Sequence, residues 1–436
     1  MLFLYSLVLT IGFLLMLPLF LMRREKYAAG FRQRLGNYPK FELDGRPVIW
    51  LHCVSVGETN AARPLVDAIR ENFPAHRLVF STTTKTGQEL AHKVFADKTD
   101  AIIYFPFDFK FSVRKALANY KPSLILLMET EIWPRFIREA KSNGSKVAIV
   151  NGRLSERSVG RYTKVRPFIS RVLADVDLAL MQGQNDANRL MSLGINSSKV
   201  SVTGNIKFDV SVDPNEAELT QMLDLRFEIS NNRPLLVAAS THEREERWLL
   251  EAYCSLDAAI RPRLMMAPRH PERFDSVAKM VDEFRNDPAC EGTDYSFVRR
   301  SEKQAASDGE KDVILLDSIG ELRAAYPLAE IVFVGGSLIP HGGQSVLEPA
   351  AAGKAIVTGP YTHNFEEAVR VFLSNNAIIQ LSELPDEAVV DELFMKISDL
   401  LESDERRNEL GRNAASVIKA NRGATRKTME MLSRLK

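Results

Sequence analysis

Hydrophobic positions in this chain alternate between short β-branched runs and longer amphipathic stretches. Such alternation is typical of parallel sheets covered by helices on both faces. The apolar runs form two blocks, at 48–54, 77–83, 101–105, 123–128, 146–150 and 178–182, and then at 234–240, 263–268, 313–317, 330–336 and 354–359. The pattern therefore predicts an α/β protein with two parallel sheets, in which ligands bind beyond the carboxyl ends of the strands.

The stretches around these blocks set the predicted domain boundaries. Residues 208–216 are polar and contain a proline, so we interpret them as a linker. The 436 residues suit two or three domains of ordinary size, and the chain is almost wholly helical after residue 383. We predict domains at 23–210 and 211–420, preceded by a separate segment at 1–22 and followed by a C-terminal helix at 421–436.

The first 22 residues contain no charged side chain. A helix of this length covers on the order of 33 Å, enough for the hydrocarbon core of a bilayer. Six basic residues follow the run, at Arg23, Arg24, Lys26, Arg32, Arg34 and Lys40. A cleavable signal peptide has the opposite order, so we expect an uncleaved anchor helix, with the remaining chain on the cytoplasmic side and the cations near anionic head groups. The helix either spans the membrane or lies in its surface, and a buried core helix is the alternative.

Net charge, cysteine count and the absence of two nucleotide-binding motifs exclude or disfavour several classes of function. Lys and Arg number 57 against 56 Asp and Glu, so no global field attracts nucleic acid. Cys53, Cys254 and Cys290 are too few and too scattered for a disulfide framework or a zinc cluster, and we expect small hydrophobic residues in a reducing compartment. Neither a GxGxxG nor a GxxxxGK[ST] motif occurs, which counts against a dinucleotide enzyme or an NTPase.

Three motifs at strand ends of the first block carry candidate chemistry. HCVSVGE places Glu58 after a buried strand, where it could act as a base or merely cap the next helix. METEIWP places Glu129 and Glu131 where burial and a shared site raise the pKa of a carboxyl, unless a salt bridge neutralises it. GNIKFD places Lys207 beside the linker, either as an ordinary surface lysine or to neutralise developing negative charge.

Polar residues also follow the strands of the second block. Arg269 in APRHPERF suits a phosphate, and the glycines of GGSLIPHGGQ let backbone approach a ligand closely. A helix opening near Ser345 would offer free N–H groups, and Glu348 one turn later can accept hydrogen bonds from a ribose. His341 and His363 have no ligand spacing, so we interpret them as loop histidines and expect no metal or cofactor.

Taken in order, these residues resemble the 3-deoxy-D-manno-octulosonic acid (Kdo) transferases of Gram-negative lipopolysaccharide synthesis. The resemblance rests on HCVSVGE, METEIWP, GNIKFD, STHE, PRHPERF, FVGGSL and LEPAAAGKAIVTGPYTHNF. It implies a GT-B glycosyltransferase with two facing Rossmann-like domains and a C-terminal helix that crosses back. It also implies CMP-Kdo as donor, a lipid A precursor (lipid IVA) as acceptor, and a place at the inner membrane.

The resemblance also implies roles for individual residues. Glu58 would be the general base of an inverting transfer, and Glu129 and Lys207 would stabilise the transition state. The positions implied to hold CMP are Pro268, Arg269, Ile319, Gly320, Glu321, Ser345, Val346, Leu347 and Glu348. The chain departs from the family at Ser345, where Asn is common, and at Arg244, where Gly is common. We expect these departures to alter donor contacts rather than activity.

Two other functions remain open from the sequence. A GT-B transferase or epimerase that uses a UDP-sugar would share the predicted fold. Calorimetry with CMP and with UDP distinguishes it from a Kdo transferase, because each protein should prefer the nucleotide of its own donor. A non-catalytic lipid-binding or scaffold protein at the inner membrane would use the N-terminal run and the basic residues alone. That function leaves the carboxylates and glycines at the strand ends unexplained.

Overall fold

The computed structural model describes residues 2–22, 29–209, 215–231 and 233–435. The chain divides into two compact units, Met1–Asp209 with Asn421–Lys436, and Val210–Ala420. Each unit contains a seven-stranded sheet in which every pairing is parallel. The prediction of an α/β protein with two parallel sheets is therefore confirmed.

The first unit alternates strands and helices. Its strands are β1 (Val48–Cys53), β2 (Arg77–Thr82), β3 (Ala101–Tyr104), β4 (Pro122–Met128), β5 (Lys146–Gly152), β6 (Leu178–Met181) and β7 (Val200–Val202). Its helices are α1 (Leu2–Met22), α2 (Phe31–Arg34), α3 (Val56–Ala61), α4 (Arg63–Asn72), α5 (Lys85–Phe95), α6 (Lys110–Tyr120), α7 (Pro134–Ser142), α8 (Glu156–Thr163), α9 (Arg166–Ala174) and α10 (Gln184–Ser192). The strand order is β3-β2-β1-β4-β5-β6-β7, so the direction of winding reverses between β1 and β4. A reversal of this kind opens a crevice at the carboxyl ends of the two strands.

The β1 strand is buried throughout, as the central strand of a parallel sheet should be. Trp50 is fully buried, and its indole N–H donates to the Ser81 hydroxyl at 2.7 Å. His52, which the HCVSVGE motif places near Glu58, is also a core residue. Its ring stacks on Phe105 at 3.8 Å between centroids, and burial lowers its pKa to about 3. His52 is therefore a neutral part of the packing and not of the site.

The apolar N-terminal run forms α1, and one side of this helix packs on the first unit. The Tyr5 hydroxyl donates to the Asp108 carboxylate at 2.8 Å, and the Arg135 guanidinium donates to the Ser6 hydroxyl at 2.8 Å. No helix within the described ranges is long and apolar enough to cross a membrane.

The basic residues after α1 are only partly described. Those at positions 23, 24 and 26 lie outside the described residues. Arg34 is engaged within the first unit: its guanidinium donates to the Ala29 carbonyl at 3.1 Å and to the Thr83 carbonyl, and lies 4.9 Å from the centre of the Tyr104 ring. We expected Arg34 near lipid head groups, but these contacts give it a structural role instead.

The second unit repeats the same architecture. Its strands are β8 (Leu235–Thr241), β9 (Arg263–Pro268), β10 (Phe297–Arg299), β11 (Val313–Leu315), β12 (Ile331–Val334), β13 (Ala355–Thr358) and β14 (Ile379–Gln380). Its helices are α11 (Glu216–Phe227), α12 (Glu245–Ser255), α13 (Phe274–Phe284), α14 (Leu322–Ala325), α15 (Leu347–Ala351), α16 (Glu366–Ser374), α17 (Asp386–Glu402) and α18 (Asp404–Asn421). The strand order is β10-β11-β9-β8-β12-β13-β14, so the corresponding crevice lies between β8 and β12.

The last helix, α19 (Ala424–Ser433), belongs to the first unit and packs on α4. The Asp209 carboxylate accepts hydrogen bonds from the backbone N–H groups of Gly423 and Thr425, each at 2.6 Å. Asp209 therefore satisfies free donors at the start of α19 and holds the helix on the first unit. The central part of the predicted linker, 210–214, lies outside the described residues.

Three strands were not predicted from the apolar pattern, namely β7, β10 and β14. All three are edge strands, and they contain three, three and two residues. Short edge strands need little apolar sequence because one side is unpaired and solvent lies close by. A search for continuous apolar runs therefore finds the centre of each sheet and the edge strand β3, and misses the other edge strands.

The interpretation of the cysteines was wrong for two of the three. Cys254 at the end of α12 and Cys290 after α13 form a disulfide, with their Cα atoms 5.2 Å apart. Their separation of 36 residues hides this proximity, which arises because the segments around α12 and α13 pack together. Cys53 is free and buried in β1, as expected of a small hydrophobic residue.

Candidate active site

Glu58, Glu129 and Lys207 meet at the carboxyl edge of the first sheet. Glu58 follows β1 in the first turn of α3, and Glu129 directly follows β4. Lys207 lies in a short 3-10 turn, Ile206–Phe208, after β7. Its ammonium nitrogen is 3.2 Å from Glu129 Oε1, and the Glu129 charge acts on Glu58. The edge next to the β1/β4 crevice thus carries three ionisable groups predicted from the sequence.

Glu58 is both a helix cap and a perturbed carboxyl group. Its oxygens accept hydrogen bonds from the Val54 N–H at 2.8 Å and the Ser55 hydroxyl at 3.2 Å, while Ser55 Oγ accepts from the Glu58 N–H at 3.4 Å. Ser55 is therefore the N-cap of α3, and the Glu58 carboxylate folds back on the same turn to accept from the residue before the cap. Burial, reinforced by the charges of Glu129 and Glu131, raises the pKa of Glu58 to about 8. A carboxylate with that pKa is a much better base near neutral pH than an ordinary glutamate.

Glu129 has an unusual backbone conformation for its residue type. Its φ is 55°, in the left-handed region, and its N–H donates to the Val150 carbonyl at 2.9 Å. A non-glycine residue in this region costs of order 1 kcal/mol or more, and such residues cluster at functional sites. The conformation turns the chain sharply at the end of β4. The carboxylate there pairs with Lys207, so the salt-bridge alternative for Glu129 is also observed.

Asn151 positions the turn that carries Lys207, and the sequence analysis missed it. It lies near the end of β5 with φ 52°, and its Oδ1 accepts a hydrogen bond from the Ile206 N–H at 2.9 Å. Asn205 adds a cap, because its Oδ1 accepts from the Lys207 N–H at 3.0 Å. An asparagine before a glycine at the end of an apolar run was the available sign of this role.

Several buried polar atoms at this edge have no hydrogen-bond partner within the described parts of the chain. They are Thr83 Oγ1, Thr130 Oγ1, Asn151 Nδ2 and Thr203 Oγ1. Leaving a buried donor or acceptor unpaired costs about 1–3 kcal/mol, so each calls for an explanation. All four follow or end strands of the first sheet, at β2, β4, β5 and β7. Buried polar atoms without a partner among the described residues are thus grouped at the carboxyl edge of this sheet.

The second sheet also brings its candidate residues to the carboxyl edge. Pro268 ends β9 and is buried, while Arg269 is exposed and its N–H donates to the Thr241 carbonyl at 2.9 Å. In the loop after β11, Ile319 is 75% exposed and Gly320 has φ 94°. A positive φ of that size favours glycine.

Glu321 lies at the end of this loop, and its carboxylate accepts three hydrogen bonds. Its carboxylate accepts two hydrogen bonds from the Arg300 guanidinium, both at 2.9 Å, and one from the Ser318 hydroxyl at 2.6 Å. A bidentate arginine contact fixes a carboxylate more firmly than a single hydrogen bond. Glu321 is therefore held in place before any ligand binds.

The segment Ser345–Glu348 offers mainly backbone to a ligand. Val346 and Leu347 are 0% and 5% exposed, so their side chains belong to the core. The Ser345 hydroxyl donates to the Glu348 carboxylate and accepts from the Leu347 N–H at 3.3 Å. The predicted helix near Ser345 is confirmed, since α15 begins at Leu347, and it has five residues.

Glu245 organises the glycine-rich loop after β12, a role that was not predicted. Its fully buried carboxylate accepts four backbone hydrogen bonds, from His242 at 2.9 Å, Gly336 at 2.7 Å, Ser337 at 2.9 Å and Leu338 at 2.9 Å. Burial raises the pKa of Glu245, and these N–H donors oppose that rise. The carboxylate ties the end of β8 to the end of β12 across the crevice of the second sheet.

Arg244, one of the two departures from the family pattern, has φ 78° and ψ −37°. This conformation favours glycine. Its guanidinium lies 4.7 Å from the centre of the Trp248 ring and pairs with Asp386 at the start of α17.

Comparison with known proteins identifies similar sequences over most of the chain. Residues 29–210 match the family profile described as 3-Deoxy-D-manno-octulosonic-acid transferase (kdotransferase). The chain is 33% identical to the 3-deoxy-D-manno-octulosonic acid transferase of Haemophilus influenzae over 94% of its length and 92% of that protein. It is 32% identical to the protein of that name from Bordetella pertussis, over 88% and 86% of the two chains.

Among solved structures, a UDP-GlcNAc 2-epimerase from Neisseria meningitidis, bound to UDP-GlcNAc, is similar with a TM-score of 0.58 and 13% identity. The match covers 89% of this chain and 100% of the epimerase. At this identity the likeness shows the fold, two α/β units that each contain a parallel sheet, and nothing about the substrate.

Proposed function

The chain belongs to the 3-deoxy-D-manno-octulosonic acid transferase family and is a glycosyltransferase, and we propose that it transfers Kdo from CMP-Kdo to lipid IVA in lipopolysaccharide synthesis. The observation that carries this proposal is the geometry of Glu58, a buried carboxyl with a pKa of about 8. It lies beside the Glu129–Lys207 ion pair, at an edge with unpaired buried polar atoms.

In the proposed reaction Glu58 is the general base. Its carboxylate accepts the proton of the primary hydroxyl of the acceptor as that oxygen forms a bond to the anomeric carbon of Kdo. The bond between that carbon and the phosphate oxygen breaks, and CMP leaves with the electron pair. Attack opposite the leaving group inverts the anomeric centre in one step. The hydrogen bonds from Val54 and Ser55 hold the Glu58 carboxylate in position for this role.

Lys207 and Glu129 act as a pair in this proposal. A preorganised cation stabilises negative charge that develops in a transition state, and its position must be fixed beforehand. Glu129 holds the Lys207 ammonium at 3.2 Å, and Asn205 fixes the backbone beneath it. Each member of the pair is about a quarter exposed, so a substrate can approach it.

The second unit supplies the proposed CMP site. Arg269 presents an exposed guanidinium after β9, which suits the phosphate of the nucleotide. Pro268, Ile319, Gly320 and the Ser345–Glu348 segment contribute mainly surface and backbone groups. Glu321, fixed by Arg300, is an acceptor suited to the hydroxyl groups of a ribose.

We also propose that α1 places the enzyme at the inner membrane, on the cytoplasmic side. Apolar side chains of α1 face away from the contacts with the first unit, and Phe3 and Leu15 are 80% and 76% exposed. Exposed apolar helix surface of this kind buries itself in the interface of a bilayer. An acyl-chained acceptor remains in that bilayer, so the enzyme would meet it there.

The activity test uses purified full-length protein with CMP-Kdo and lipid IVA. We expect release of CMP and a lipid product whose mass increases by one or more Kdo units, detected by mass spectrometry. No product with an acceptor that a known Kdo transferase does modify would refute the proposal. Calorimetry with CMP and UDP tests the UDP-sugar alternative, because preferential binding of UDP would favour it.

The membrane proposal has a separate test. Sedimentation with anionic phospholipid vesicles should retain the wild-type chain, and the double substitution Phe3→Ser with Leu15→Ser should lower the bound fraction. Thr10→Ser, an exposed polar change on the same helix, is the matched control. Equal retention of all three proteins would contradict a role for the exposed face of α1.

A further inference from the structure

Three of the seven histidines of the chain meet at the carboxyl edge of the second sheet. His242 follows β8, His270 follows β9 and His341 follows β12. Each offers one ring nitrogen, and the three nitrogens lie within 4.8 Å of one another. The ring of His242 is 4.1 Å from that of His341 and 5.2 Å from that of His270, measured between centroids.

Sheet topology brings these residues together from distant parts of the sequence. The order β9-β8-β12 makes the three strands neighbours, and parallel strands end at the same edge. No short spacing links the residues, which is why His341 was interpreted as a loop histidine. His363, interpreted in the same way, is not part of the group.

We propose that His242, His270 and His341 bind a divalent transition metal ion of the zinc type. Three imidazoles with an open fourth position are a known tetrahedral ligand set for zinc. Zn–N bonds of about 2.0–2.1 Å bring ligand nitrogens to about 3.3 Å from each other, so the ring nitrogens must approach one another by up to about 1.5 Å. His270 and His341 are exposed enough at this edge to make that adjustment.

His242 is the buried member of the group. It is 6% exposed, so its ring is fixed by packing, whereas the other two rings lie nearer the surface. The Gln344 amide nitrogen lies 3.4 Å from His242 Nε2 and restricts the ring on that side.

A carboxylate supports the second ligand. Glu272 Oε1 is 3.6 Å from His270 Nδ1, close to the arrangement in which a carboxylate orients a metal-binding histidine through its other ring nitrogen. Two arginines disfavour the binding of a cation here, because the positive charges of Arg269 and Arg273 both interact with His242. Glu246 offsets one of them, with two hydrogen bonds from Arg273 at 2.8 and 3.2 Å.

The experiment measures metal binding directly. Full-length protein is stripped with a chelator, dialysed and titrated with ZnCl₂ by calorimetry, and bound metal is counted by mass spectrometry. We expect one ion per chain and, with Co²⁺ in its place, the visible absorption of a tetrahedral site. His341→Ala and His270→Ala should each weaken binding at least tenfold, an effect of the size seen when a metal site loses part of its support.

His92→Ala is the matched control, since His92 is an exposed histidine on α5 of the first unit. It should leave zinc binding unchanged. Circular dichroism and the melting temperature establish that each variant is folded. Absence of a stoichiometric ion, or equal weakening by His92→Ala and His341→Ala, would overturn the proposal. The readout does not use Kdo transfer, so its failure is distinguishable from failure of the proposed function.

Discussion

The carboxyl edges of the two sheets differ in how their acidic groups are satisfied. In the first unit Glu58 has two hydrogen-bond donors, is influenced by two other carboxylates and has a pKa of about 8. In the second unit Glu245 accepts four backbone hydrogen bonds and Glu321 accepts three from side chains. The same architecture thus carries a perturbed carboxyl in the first unit, which we propose makes it the reactive edge, and a fixed edge in the second.

This difference suggests a division of labour. A base must change its protonation state, so its carboxyl is kept only partly satisfied and close to like charges. A nucleotide site needs backbone and side chains that are already in place, because ordering them on binding costs affinity. Glu245 orders the backbone of Gly336–Leu338, and Arg300 orders Glu321. We therefore expect substitutions in the first unit to lower kcat and those in the second to raise the KM for the donor.

The largest expected effect is at Glu58. Glu58→Gln keeps the size of the side chain and removes the base, so kcat should fall by about 10³-fold, within the range for general base catalysis. Binding of CMP, measured by calorimetry, should stay within about twofold because the residue belongs to the other unit. An active Glu58→Gln enzyme would refute the assignment. Glu321→Gln should show the opposite split, with a raised donor KM and nearly unchanged kcat.

The pKa of Glu58 predicts a pH profile. Since the carboxylate is the active form, kcat/KM should rise about tenfold per pH unit below pH 8 and level off above it. Glu131→Gln removes a charge that raises this pKa, so the rising limb should move to lower pH. A kcat/KM that levels off near pH 4.5, the ordinary pKa of a glutamate, would contradict this account of the first unit. A pH profile that is the same in wild type and Glu131→Gln would contradict it as well.

The same shift also links stability to pH. The folded protein holds the Glu58 proton up to about pH 8, whereas the unfolded chain releases it near 4.5. The free energy of unfolding should therefore fall as the pH rises between these values, because the folded state binds more protons there. In Glu58→Gln this contribution should be absent, which melting temperatures of both proteins across that range can measure.

A smaller effect is expected in the second unit. Arg300→Ala removes the two hydrogen bonds that fix Glu321, so the donor KM should rise about tenfold, or about 1.4 kcal/mol of binding free energy. The value of kcat should change little. Arg247→Ala, which removes an exposed arginine on α12 paired with Glu251, is a control for general loss of an ion pair. A large fall in kcat for Arg300→Ala would weaken the division between the two edges.

The sequence predicted the centres of both sheets and the residues after their central strands, because long apolar runs and the polar groups that end them are local features. It could not predict groupings that depend on topology. Asn151 reaches Ile206, Glu245 reaches Gly336 and Cys254 reaches Cys290, each across a long stretch of chain. It also could not tell that Glu58 serves as a cap and a perturbed carboxyl at once.

The direction in which individual side chains point could not be predicted from the sequence either. Arg34 follows an apolar run and suggested a lipid contact, yet it binds carbonyl groups of its own unit. Val346 and Leu347 match positions implied to hold CMP, yet their side chains are in the core. A motif shows which backbone lies near a ligand, whereas the packing of each side chain depends on neighbours from other strands.

The smallest expected effect concerns Arg244, where the fixed edge carries a strained residue. Replacement by glycine relieves the φ of 78° but loses the contacts with Trp248 and Asp386, which are exposed and worth about 1 kcal/mol or less each. Replacement by alanine loses the contacts and keeps the strain. Arg244→Gly should therefore be more stable than Arg244→Ala by about 1 kcal/mol in denaturant unfolding, with both close to wild type in kcat. Equal stability of the two variants would show that the backbone at the end of β8 relaxes freely, which would break the contrast between a fixed and a reactive edge.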